Sequence, residues 1–141
     1  MYLQVTINNS DKDELKAVTE LILRERDLLL AWVFGSVAAG TAGVESDLDV
    51  AILSEKPLAA DEKAGLIERL SILTGRPVDL VDLRCAGPVV TREIFSQGKM
   101  ILQRDQEQYA RLLVRYWFDQ SDWLPYRKQI IDERRRAWIE G

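Results

Sequence analysis

Leu28-Leu-Leu-Ala-Trp-Val-Phe-Gly-Ser36 is followed, after ten residues that are mostly small, by Asp47-Leu-Asp-Val-Ala-Ile-Leu53. The first stretch is an apolar run of strand length that ends in a tight Gly-Ser turn, as a buried strand does. The second alternates: Leu48, Val50 and Ile52 take one face and Asp47, Asp49 and Ala51 the other. Two aspartates on one face of an apolar strand repel each other. Burial without a counter-charge would shift their pKa values, and the simplest counter-charge is a divalent cation held by oxygen ligands, with Mg²⁺ the best match to carboxylates plus phosphate oxygens.

Further along the chain, Val78-Asp-Leu-Val-Asp-Leu83 reads as another strand. It offers a third carboxylate. Asp79 and Asp82 are three residues apart and so face opposite sides of the sheet, and only one can join Asp47 and Asp49. Asp79 is preferred because it lies within the strand, whereas Asp82 at the strand end suits a solvated or capping role. Gly35 allows the backbone to approach a ligand closely, and Ser36 adds a hydroxyl and an amide for phosphate oxygens.

Helical periodicity covers the remaining chain. Leu15, Val18, Leu21 and Ile22 predict a helix between Ser10 and Asp27, with Asp11 and Glu14 spaced as a capping box. Leu66, Ile67, Leu70 and Leu73 predict a second over 58–74, stopped at Gly75, and Pro88–Gln97 a third, closed by Gly98. Met100 to Leu102 suits a small edge strand. From Asp105 the residues Tyr109, Leu112, Leu113, Tyr116 and Trp117 outline one apolar helix face, and Pro125 is expected to break or kink the helix at that point. The run Asp132 to Arg136 reads as a solvated helix face. The expected fold class is a mixed α/β unit, a small sheet flanked by helices, with residues 1–103 as the main domain and 104–141 as a C-terminal helical arm packed on that domain or on a partner.

Composition removes other chemistries. The chain has 141 residues and no histidine, which excludes imidazole bases, histidine zinc ligands and histidine-dependent triads. One domain is expected at this length. The single Cys85 cannot form an internal disulfide and is expected to be structural. No apolar run approaches the roughly 18 residues of a membrane span, and the start, Met1-Tyr2-Leu3-Gln4, lacks the pattern of a signal peptide, so a cytoplasmic protein without membrane insertion is expected. The net charge is −4; residues 1–103 hold 11 basic and 16 acidic groups, and residues 104–141 hold 8 and 7. An acidic body is a poor grip on a phosphate backbone, and direct nucleic-acid binding is not expected.

Alone, a Gly-Ser after a strand is a turn, and Asp-x-Asp is a solvated strand face. Together, Phe34-Gly35-Ser36, the spacer with Gly40, and Ser46-Asp47-Leu48-Asp49-Val50 resemble the signature of the polymerase-β-type nucleotidyltransferase superfamily, in its minimal nucleotidyltransferase branch. The resemblance covers about residues 10 to 103. It implies a polymerase-β-like nucleotidyltransferase fold, triphosphate binding by Gly35 and Ser36, metal coordination by Asp47 and Asp49, and Asp79 as third carboxylate, metal ligand and general base, with a two-ion Mg²⁺ site and ATP as substrate. Many relatives of this length are antitoxins of the MntA kind, paired with HEPN-domain toxins. That implies transfer of AMP from ATP to a tyrosine of the partner RNase, within a hetero-oligomeric complex. Two other readings stand beside it: a binding antitoxin with a vestigial nucleotide site, and a nucleotidyltransferase acting on a small molecule or an RNA end. In one place the chain departs from the pattern. Relatives commonly carry arginine between the Gly-Ser and the next glycine, where this chain has Val37-Ala38-Ala39; Arg76, Arg84 and Arg92 are the candidates to replace it.

Overall fold

The computed structural model describes the backbone of residues 9–140 and the side chains of residues 11–121 and 132–137. The elements run α1 (Asn9–Leu23), β1 (Leu28–Phe34), α2 (Gly35–Ala39), β2 (Leu48–Ser54), α3 (Ala60–Thr74), β3 (Val78–Asp82), α4 (Pro88–Gln97), β4 (Lys99–Gln103) and α5 (Gln106–Glu140). The four strands form one sheet in the order β3-β2-β1-β4. β1 is antiparallel to both β2 and β4, whereas β2 and β3 are parallel. A parallel pair needs a crossover, and α3 supplies it.

Alternation along the strands divides the core between the two faces of the sheet. Ala31, Val33, Val50, Ile52 and Leu80 pack against Val18 and Ile22 of α1 and Leu66 and Leu70 of α3. Leu30, Trp32, Phe34, Ala51 and Leu53 lie on the other face, under Ile94 of α4 and Tyr109 and Leu112 of α5. Each fully buried valine, leucine or isoleucine among them contributes about 1.5 to 3 kcal/mol over an exposed one, so the two layers hold the sheet from both sides.

Four sequence expectations change. The spacing of Asp11 and Glu14 does not make a capping box: Asp11 lies inside α1, and Glu14 pairs with Arg76, in the connection from α3 to β3. α5 continues through Pro125 without a break, giving up one backbone donor in a helix whose first turns are anchored by packing. Trp117 lies off the packed face of α5 and is 61% exposed; Tyr109 and Tyr116 instead stack with Trp32 and Phe95. Cys85, expected to be a structural thiol, is exposed. The run Asp132 to Arg136 is solvent-facing, as expected.

Candidate active site

The site is built where β1 ends and β2 and β3 begin. β1 delivers the chain to Gly35, whose φ of 70° is left-handed, a conformation that only glycine adopts at little cost. A second constraint acts on the same residue. A Cβ at position 35 would overlap Oδ2 of Asp49. The missing side chain thus lets the Asp49 carboxylate lie directly against the start of α2, whose first-turn amides have no partner within the helix.

Asp49 is the central residue of the site. It pairs across the sheet with Phe34 on one side and with Asp79 on the other. Residues in register on neighbouring strands share a face, so Asp49 and Asp79 project together while Asp82, paired with Ile52, takes the opposite one. Asp47 sits one residue before β2, exposed, and not within the strand as its alternation suggested. Burial pushes the pKa of Asp49 above the ordinary carboxylate value, and the negative charges of Asp79, Asp47 and Glu93 push it further.

Among the described residues, none of Asp47, Asp49 and Asp79 is in an ion pair or a side-chain hydrogen bond. These carboxylates border one site but have not closed to ligand distance, and among the described residues no three acidic side chains form a ready-made metal cluster. The donor set nevertheless fits a hard divalent cation: it is all oxygen, it is negatively charged, and no cation among the described residues pairs with it.

Asp82 has a different role. Its Oδ1 accepts the backbone N–H of Arg84 at 2.9 Å, closing the turn that ends β3. Two of the candidate arginines are also occupied. Arg84 donates to the carbonyls of Ser54 and Glu55. Arg76 donates to Glu14 and to the carbonyls of Gly43 and Ser46. Arg92, on α4, is exposed and has no such commitments among the described residues. Val37 and Ala38, which stand between Gly35-Ser36 and Gly40, are buried in the core.

Sequence reasoning missed Glu93. It lies on α4 next to the buried Ile94, and the field it exerts on Asp49 follows from α4 covering the acidic face of the sheet. The helical pattern of 88–97 was legible, but nothing in it says which face of the sheet the helix covers.

Comparison with known proteins agrees with this geometry. The family described as Polymerase beta, Nucleotidyltransferase matches residues 16–107. The protein adenylyltransferase MntA of Shewanella oneidensis is 34% identical over 109 residues, covering 75% of this chain and 76% of MntA. A toxin–antitoxin structure solved with AMP-PNP contains a chain that superposes with a TM-score of 0.70 at 30% identity, covering 86% of this chain and 97% of that one. A structure of tri-AMPylated Shewanella oneidensis HEPN toxin in complex with its MNT antitoxin superposes with a TM-score of 0.62 at 26% identity, covering 87% and 93%.

Proposed function

The chain belongs to the polymerase beta nucleotidyltransferase family, and from that premise we propose that it is an antitoxin that transfers AMP from ATP to a tyrosine of a HEPN-domain RNase toxin and so silences it. The observation that carries the reading is the group of uncompensated carboxylates around Gly35: Asp49 in register with Asp79, under the charge of Asp47, against the start of α2. A binding-only antitoxin has no use for such a group, since the half-buried Asp49, without a cationic partner and under its neighbours' negative charge, costs stability when ionised.

In this reading Asp47, Asp49 and Asp79 would hold Mg²⁺, as a two-ion site, and Gly35 and Ser36 would receive the triphosphate through backbone amides and the serine hydroxyl. A divalent cation bound there would neutralise phosphate charge and so favour in-line displacement at the α-phosphorus. The tyrosyl oxygen forms a bond to that phosphorus, the bond to the bridging oxygen of the β-phosphate breaks, and pyrophosphate leaves. The phenolic proton passes to Asp79, because a tyrosine with a pKa near 10 needs a base at neutral pH. In this reading residues 1–103 are the nucleotidyltransferase domain and 104–141 a helical arm, whose first turns pack on that domain through Tyr109 and Leu112. None of the described helices is long and apolar enough to cross a membrane, which suits a cytoplasmic site of action.

The test is direct. The purified chain with ATP, Mg²⁺ and its toxin should add the mass of AMP to a toxin tyrosine, while Asp47→Asn combined with Asp49→Asn folds, still binds the toxin and adds nothing. If the double variant protects cells from the toxin as well as the wild type does, neutralisation is by binding and the catalytic reading is wrong.

A further inference from the structure

Asp47 lies outside the β2 ladder, so strand pairing alone does not fix it. What holds the backbone on either side of it comes from one dipeptide at the start of β3. Arg76 Nη1 donates to the carbonyl of Ser46 at 3.0 Å and to that of Gly43 at 2.5 Å. The carbonyl of Pro77 accepts the N–H of Leu48 at 2.8 Å. Residues 46 and 48, the two neighbours of Asp47, are thus both tied to residues 76 and 77. Ser46 adds a local brace, its Oγ accepting the N–H of Gly43 at 2.9 Å.

The guanidinium is itself fixed. Its Nε donates to Glu14 Oε1 at 2.5 Å and its Nη2 to Oε2 at 3.2 Å, a two-point pairing that sets the plane of the fork. The side chains of Arg76 and Glu14 are only 10% and 16% exposed, so solvent screens the pair weakly. α1, the α2–β2 connection and β3 meet at this one side chain.

We infer that Arg76 is a positioning residue for Asp47: it touches neither substrate nor metal, and it holds the loop 43–46 so that Asp47 faces Asp49 and Asp79. The inference rests on the metal site proposed above. A lysine at 76 keeps the charge but, with one compact ammonium, cannot bond Glu14 and two carbonyls in one plane.

The experiment compares Arg76→Lys with Glu14→Gln. The first loosens the grip on the loop; the second weakens the anchor of Arg76 but leaves its bonds to Gly43 and Ser46. Two quantities are read: the Mg²⁺ concentration giving half-maximal AMP transfer, and amide hydrogen exchange of the segment 43–48 against 50–53. R76K should raise the Mg²⁺ requirement about 10- to 100-fold, as loss of a partner that orients a metal ligand does, and speed exchange in 43–48 while 50–53 stays protected. E14Q should lower thermal stability and leave the Mg²⁺ requirement unchanged. An R76K protein with the wild-type Mg²⁺ requirement and wild-type exchange in 43–48 overturns the inference, as does E14Q matching R76K in both readouts. If wild type transfers no AMP, the proposed function fails, and the exchange of 43–48 alone decides whether Arg76 holds the loop. Should R76K not fold, Arg76→Gln with Glu14→Gln, which leaves no buried charge unpaired, takes its place.

Discussion

The two ends of the β2–β3 pair carry similar residues and treat them in opposite ways. At the end of the strands, Asp82 closes a turn onto the amide of Arg84, and the Arg84 guanidinium caps the carbonyls of Ser54 and Glu55. At their start, Asp49 stands under the charge of Asp47 and Asp79, and none of the three has an ion pair to any described cation. Asp79 and Asp82 are three residues apart on one strand, so neither residue type nor distance along the chain separates them. What separates them is what each stands beside: Asp82 completes a turn, whereas Asp79 is exposed in register with the half-buried, unpartnered Asp49, and that pair is a place for something the chain does not itself contain.

Neutralising one aspartate at each end puts this contrast to its most demanding test. Asp79→Asn should lower kcat for AMP transfer by about 10²- to 10⁴-fold, the usual worth of a general base, with the fold intact by circular dichroism. Asp82→Asn should leave kcat unchanged and cost about 1 kcal/mol of stability through the weakened turn. The reverse pattern would mean that the chemistry sits on the opposite face of the sheet.

A smaller effect separates two glycines with the same backbone conformation. Gly35 and Gly40 have φ values of 70° and 74°, but a Cβ at 35 would overlap Asp49, whereas one at 40 meets nothing within 4 Å. Both alanine variants should lose about 1 to 2 kcal/mol for the left-handed conformation. Only Gly35→Ala should also lose activity, about 10²-fold, because the Asp49 carboxylate has to move. Equal activity losses at 35 and 40 would show that backbone strain, and not the close approach to Asp49, is what Gly35 is for.

Much of the acidic end was legible because it is written in local pattern. The apolar run 28–34, the alternation 48–52 and the position of Asp79 within its strand follow from period-two geometry, and the register of β2 with β3 then puts Asp79 beside Asp49. Glu93, Arg76 and the fate of Glu14 were not legible, because each acts across the fold. Glu93 matters only once α4 lies over the acidic face. Arg76 reaches carbonyls 30 and 33 residues away, and backbone acceptors leave no mark in sequence. The Asp11–Glu14 spacing misled because α1 already starts at Asn9, which puts Asp11 inside the helix, and a distant arginine pairs with the glutamate. Pro125 shows that a local breaker is a weak signal inside a helix as long as α5.

The finest test concerns what the unpartnered charge costs. Burial and the surrounding carboxylates raise the pKa of Asp49 in the folded protein, so the fold binds this proton more tightly than the unfolded chain does. Asp49 therefore favours folding only at acid pH, and that contribution is lost as pH rises from the ordinary carboxylate value of 3.8 through the raised one. Near neutrality, with metal chelated, the ionised group is a net cost. Asp49→Asn should then melt at or above the wild-type temperature, by about 1 to 2 °C, and the difference should vanish below the ordinary value, where both side chains are neutral. Added Mg²⁺ should raise the melting temperature of the wild type and not that of Asp49→Asn. Asp82→Asn runs the other way, losing stability at neutral pH with or without Mg²⁺, because its carboxylate already has a partner. An Asp49→Asn protein several degrees less stable than wild type in chelator would mean that Asp49 is paired after all, and the two ends of the strand pair would no longer differ in kind.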